Sequence, residues 1–276
     1  MTAAWLLPVV TLIVASSTGG VLAPALHAYS PSKALLTQTF SICMVTIGLS
    51  LAMMLLTVYM MRLIIYGLPP GATIISVFLP LGPTGQAGFS ILIAGQYYKS
   101  TLPLDYGSST ILRSSSTGQT IDVICMCIAF ILWSLSTMWV IFALLGVQQV
   151  VRGTRIPFRV PFWGLIFPNV AFSFCALFLY RADVYLGQGV YANLTISLGN
   201  TFDSPFFRIY GSVYAVVTLL MWTVVTVRTL HMVYTTEIFE APCLEDIDMG
   251  RLLSSSNGEK SPRACENGEA TVNKTS

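Results

Sequence analysis

Apolar residues run in long uncharged blocks with short polar punctuation between them. No Asp, Glu, Lys or Arg occurs within 1–32, 34–61, 63–98, 123–151, 160–180 or 209–227. A hydrocarbon core of roughly 30 Å takes about 20 apolar residues as helix, so each block holds one span. The pattern predicts six transmembrane helices, near 4–26, 35–62, 73–97, 121–147, 161–181 and 207–232. The first is read as a retained helix and not as a signal peptide, because it lacks a basic start and Ser16, Ser17 and Thr18 interrupt its apolar run. The expected fold class is an all-α integral membrane protein.

Composition agrees, with 54% hydrophobic and 9% charged residues against about 25% charged in soluble domains. Of the 26 charged residues, 12 follow His231, in a stretch rich in Ser, Gly, Asn, Lys and Glu. Such a segment buries too little apolar surface to offset its ordering entropy. The chain therefore divides into a transmembrane domain, 1–235, and a tail, 236–276, expected to be disordered. The tail's four cations and eight anions leave ten cations and four anions, or +6, on the membrane part. That balance serves topology or attracts anions. The six cysteines fall inside spans or in the tail and read as packing residues, not as a disulfide framework or a metal site. No cofactor is implied.

Arg152, Arg155 and Arg159 form the densest cationic cluster outside the tail, and the positive-inside tendency places them and the tail in the cytoplasm. The sequon at Asn193 then lies in an exterior loop, as an N-glycosylation acceptor. Lys33, Lys99, Arg113, Arg181 and Arg208 would also lie outside, against the tendency.

Proline alternates between spans. Pro8, Pro80 with Pro83, and Pro168 fall early in the first, third and fifth, whereas the second, fourth and sixth have none. Proline removes an intrahelical hydrogen bond and clashes with the preceding turn. Three helical hairpins are expected, each pairing a kinked helix with a straight one, unless the prolines only follow their general frequency in membrane helices.

Apart from Arg181 at the very end of the fifth, the kinked spans carry no Asp, Glu, Lys, Arg or His, which argues against a proton relay or a charged binding site. Their polar groups are neutral: Ser16, Ser17 and Thr18 before Gly19-Gly20, Thr84, Gln86 and Ser90 in the third span, Asn169 and Ser173 in the fifth. Neutral donors at helix breaks replace part of an anion's water shell without holding it tightly. Small hydroxylated residues also let helices pack closely, so for Ser16 to Gly20 both readings stand. Gln86, a bulky amide beside a break, fits a pore better. Phe167 directly precedes Pro168, where a ring would narrow a path.

Trp5-Leu6-Leu7-Pro8-Val9-Val10, Val14 to Gly20, Leu68-Pro69-Pro70 and above all Phe78-Leu79-Pro80-Leu81-Gly82-Pro83-Thr84-Gly85-Gln86-Ala87-Gly88 resemble the fungal sulfite efflux pumps. These belong to the wider tellurite-resistance/dicarboxylate transporter family, with malate permeases and plant slow anion channels. The resemblance covers about 5 to 235. It implies a pore lined by proline-kinked inner helices within a ten-helix, five-hairpin fold, commonly trimeric. By the same comparison Trp163 to Pro168 matches a segment whose phenylalanine occludes the pore, which makes Phe167 the gate and Pro8, Pro80, Pro83 and Pro168 kink positions.

The six spans match the last six of ten helices. The resemblance thus implies multi-pass plasma-membrane efflux of sulfite or bisulfite, a small inorganic anion, by a non-enzyme that binds no nucleic acid. The rivals are a malate or C4-dicarboxylate carrier of the same fold, and a truncated, non-transporting protein associated with a full-length relative.

Overall fold

The computed structural model describes residues 3–69, 71–104, 108–153, 162–163 and 190–235. Among these every regular element is helical: α1 Leu7–His27, α2 Pro31–Tyr66, α3 Leu81–Thr101, α4 Ser115–Gly153, α5 Val190–Thr201 and α6 Pro205–Tyr234, with 3-10 segments at Ala3–Leu6 and Gly71–Phe78. Five stretches are long and apolar enough to cross a membrane: Leu7–His27, Pro31–Tyr66, Ile74–Thr101, Ser115–Gln149 and Pro205–Tyr234. By its contacts the chain divides into Met1–Thr229 and Leu230–Ser276. All packing described below lies in the first unit.

Helix boundaries follow from backbone chemistry. Between α1 and α2, Ser30 is extended (φ −159°, ψ 104°) because the ring of Pro31 excludes the helical region for the residue before it. At its other end α2 stops at Gly67, whose φ of 73° suits only a residue without Cβ and whose N–H bonds Leu63 O at 3.0 Å.

The prolines stand differently from expectation. Pro8 is the second residue of α1 and is exposed. Pro80 is the N-cap of α3, and Pro83 is its third residue. A first helical turn has no acceptors for its N–H groups, so proline there starts a helix at little cost. The kinks expected at Pro8, Pro80 and Pro83 are thus helix starts. The third span is interrupted at Leu79–Pro80, between the 3-10 segment and α3. Pro168 and Phe167 lie outside the described residues, as does the tail from 236.

Side-chain register fixes direction. Ser16 meets Ser41, and Ala23 shares a cluster with Ala34, so α2 runs back along α1. Thr84 meets Ser136 and Lys99 meets Asp122, so α4 runs back along α3. Thr195 and Ile196 lie at Gly211 and Tyr191 packs on Tyr214, so α6 runs back along α5. By contrast Ser17–Gln86 and Tyr97–His27 set α1 and α3 parallel, and Gly85 at Val190 with Gly88 at Leu194 sets α3 and α5 parallel. Three helices thus run side by side in one direction, with α3 in the middle.

This arrangement explains the burial. Residues 81–90 of α3 are all buried, whereas α2 and α6 expose Ile47, Leu51, Met54, Val216, Leu220 and Val224. Such exposure is what a bilayer solvates.

The fifth span expected at 161–181 lies almost wholly outside the described residues; only Phe162 and Trp163 are described, Trp163 Nε1 donating to Thr229 Oγ1 at 3.1 Å. The loop expected around Asn193 is instead α5, packed against α3, and Asn193 is 8% exposed. A glycosylation acceptor must be accessible in a surface loop, so the structure corrects that reading. Twelve residues are too few to register as a span, and Asn193, Thr195 and Ser197 dilute the apolar signal.

Candidate functional site: a neutral polar seam between α1 and α3

On α3, residues 86, 90, 93 and 97 recur at three- and four-residue intervals and share one face. That face meets α1. Gln86 Nε2 donates to Ser17 Oγ. Ser17 sends its own proton to Val14 O at 2.9 Å, so its oxygen is left to accept. One turn away, Ser16 Oγ donates to Ser41 O at 2.6 Å and lies 2.8 Å from Ser90 Oγ. Because a serine has one proton and that of Ser16 is committed to the carbonyl, Ser90 is the donor between them. Further on, Tyr97 OH stands 3.4 Å from His27 Nδ1.

Ser16, Ser17, Gln86 and Ser90 are all buried, and none carries charge. The seam offers hydroxyls and one amide with fixed orientations. It does not offer an ion.

The five residues expected to line a polar path do not all converge. Ser16, Ser17 and Gln86 do. Thr84 turns to the opposite side of α3, where it accepts from Ser136 Oγ at 2.8 Å and donates to Pro80 O at 3.0 Å. Thr84 and Gln86 are two positions apart, about 200° around a helix, which sends them to different neighbours. Thr18 is exposed, and its hydroxyl returns to Val14 O at 2.9 Å within its own helix. Asn169 and Ser173 lie outside the described residues.

Two groups of residues were missed. Gln38 on α2 is fully buried against α1, where an amide in an otherwise apolar span was the available signal. A second set fastens α5: Trp133 Nε1 donates to Thr195 Oγ1 at 2.9 Å, and Thr137 Oγ1 lies 2.7 Å from Tyr191 OH. These residues pair α4 with a helix that the apolar pattern did not reveal.

The one ion pair between α3 and α4 among the described residues is Lys99 Nζ to Asp122 Oδ2 at 2.8 Å, at the α3 C-terminal end. It lies off the seam, since Lys99 shares the α4-facing side with Gly95 and Gly88.

A family model for the voltage-dependent anion channel, SLAC1, matches residues 1–230. The chain belongs to this family. Among relatives of this voltage-dependent anion channel family member, the sulfite efflux pump SSU1 of Trichophyton rubrum is 34% identical over 240 residues, covering 87% of this chain and 56% of that protein. The sulfite efflux pump SSU1 of Arthroderma benhamiae matches to the same extent. An uncharacterized transporter of Methanocaldococcus jannaschii is 25% identical over 241 residues. The chain thus spans a little over half the length of these relatives. No solved structure matches it significantly.

Proposed function

We propose that this family member forms part of a plasma-membrane anion path, moving sulfite or bisulfite outward, with α1, α3 and α5 as the inner helices of three hairpins. The observation that carries this is the uncharged seam of Ser16, Ser17, Gln86 and Ser90, held at the meeting of two parallel helices. Oriented neutral dipoles beside an interrupted span substitute for part of an anion's hydration without trapping it. An inside-negative potential favours anion exit by about 2.3 kcal/mol per charge per 100 mV. The 34% identity to named sulfite efflux pumps supports sulfite as the substrate. Phe167, beside Pro168, is proposed as the gate. The Arg152 end of α4 and the tail are placed in the cytoplasm, and a homotrimer is the proposed assembly.

Expression in a sulfite-sensitive fungal strain tests this reading. Raised tolerance with lowered internal sulfite is expected, and unchanged tolerance with well-localised protein counts against it. Competition by malate for labelled sulfite separates the dicarboxylate alternative.

A second reading has its own observation. The chain covers 56% of its relatives, and α1 leaves a stripe of Thr11, Ala15, Thr18 and Leu22 at one face uncovered. In this reading the chain works only beside a full-length relative, and co-purification of the two detects it.

A further inference from the structure

We infer that the seam selects bisulfite, the protonated monoanion, over the sulfite dianion. This rests on the transport reading and narrows it to one chemical species. What decides is the number of protons the seam has left to donate.

Ser16 sends its proton to Ser41 O at 2.6 Å, and Ser17 sends its own to Val14 O at 2.9 Å. Ser90 then donates to Ser16 across 2.8 Å. One N–H of Gln86 goes to Ser17 Oγ. Every one of these hydroxyl protons is therefore spent inside the protein, and a single N–H of the Gln86 amide is left over. Lone pairs are spent less completely. With Ser90 as donor, its Oγ accepts no bond among the described residues, and neither does Gln86 Oε1.

The free complement is thus one donor beside several acceptors. Sulfite, with three oxygens and no proton, meets that N–H and otherwise faces lone pairs. Bisulfite in its O–H form accepts from Gln86 Nε2 through one oxygen and donates its own proton to Ser90 Oγ or Gln86 Oε1. Charge widens the difference. Ser16, Ser17, Gln86 and Ser90 carry none, and the Lys99–Asp122 pair lies on the other side of α3. The cost of taking an ion out of water grows with the square of its charge, so a second negative charge has nothing here to offset it.

Accumulation of total sulfite in proteoliposomes under an imposed membrane potential, with the same near-neutral buffer on both sides, counts the charge moved per sulfur. Equal pH holds the proportion of bisulfite to sulfite equal inside and out, so the gradient at equilibrium depends on the charge of the species that crosses. The expected result is a tenfold gradient per about 59 mV, for one charge; a tenfold gradient per about 30 mV, for two, overturns the inference and leaves transport standing. Uptake equal to that of empty vesicles overturns the transport reading and the inference with it.

Ser17→Ala tests the residues themselves. It removes the acceptor that occupies Gln86 Nε2 and gives the amide a second free N–H. Nitrate has the charge of bisulfite and no proton to donate, so the ratio of nitrate to bisulfite flux should rise several-fold in Ser17→Ala. An unchanged ratio in folded protein overturns the donor count. Should Ser17→Ala fail to fold, the charge per sulfur moved by the unsubstituted chain decides.

Discussion

Ser16 and Ser90, separated by 74 residues in sequence, meet hydroxyl to hydroxyl at 2.8 Å. Since Ser16 also donates to Ser41 O, one side chain ties α1 to both α2 and α3. Ser16→Ala removes both bonds and leaves Ser90 without this acceptor. The expected destabilisation is about 1–2 kcal/mol, measured by thermal or denaturant unfolding in detergent. Thr18→Ala, two positions on and exposed, should stay within about 0.5 kcal/mol.

Close approach decides a second substitution. A Cβ on Gly199 would stand 2.9 Å from the backbone N of Arg208 and 3.0 Å from Phe207 Cβ. Neither atom swings aside as a flexible side chain would, so Gly199→Ala must push α6 away from α5. The overpacking cost, about 1–3 kcal/mol, should exceed the roughly 1 kcal/mol gained in helix propensity. Gly199→Ala is therefore expected to lower Tm.

The ion pair at the end of α3 predicts an asymmetry. Asp122 has 9% of its side chain exposed and Lys99 has 56%. Removing Asp122 leaves an ammonium that reaches water, whereas removing Lys99 leaves a carboxylate in a dry interface. Lys99→Met should thus be the more destabilising of the two, by about 1–2 kcal/mol after allowing for the solvent around Lys99. Unfolding of Lys99→Met and Asp122→Asn side by side measures it, and equal effects would contradict the burial argument.

Much of this fold was legible because a bilayer writes length into sequence. Uncharged blocks marked α1, α2, α4 and α6, and the Pro80–Pro83 run marked the interruption before α3. What failed had physical causes. Proline content does not separate a kink from a helix start, so Pro8 was misread. Helix α5 is half a span long and carries Asn193, Thr195 and Ser197 on a buried surface, which period and hydropathy assign to a loop. The seam was legible in part. Gln86 and the Ser16-Ser17 pair announced polar groups in apolar spans, but which side of α3 each polar residue takes depends on what its neighbours present, and Thr84 found Ser136 instead.

The placement of Asn193 inside α5 gives a prediction of its own. Expressed in a eukaryotic host, the chain should show no mobility shift at this position on endoglycosidase treatment, and Asn193→Gln should migrate unchanged. A shift abolished by that substitution would mean that α5 is exposed to the lumen during assembly.

The central claim, that anions cross along the neutral seam, is tested most directly by sulfite flux into proteoliposomes holding the purified chain or its Gln86→Leu variant. The account predicts protein-dependent flux in the first. In the second it predicts several-fold lower flux at equal incorporation, from the loss of one charge-orienting amide worth about 1 kcal/mol. Flux through the unsubstituted chain equal to that of empty vesicles, or a Gln86→Leu variant that conducts undiminished, would contradict it.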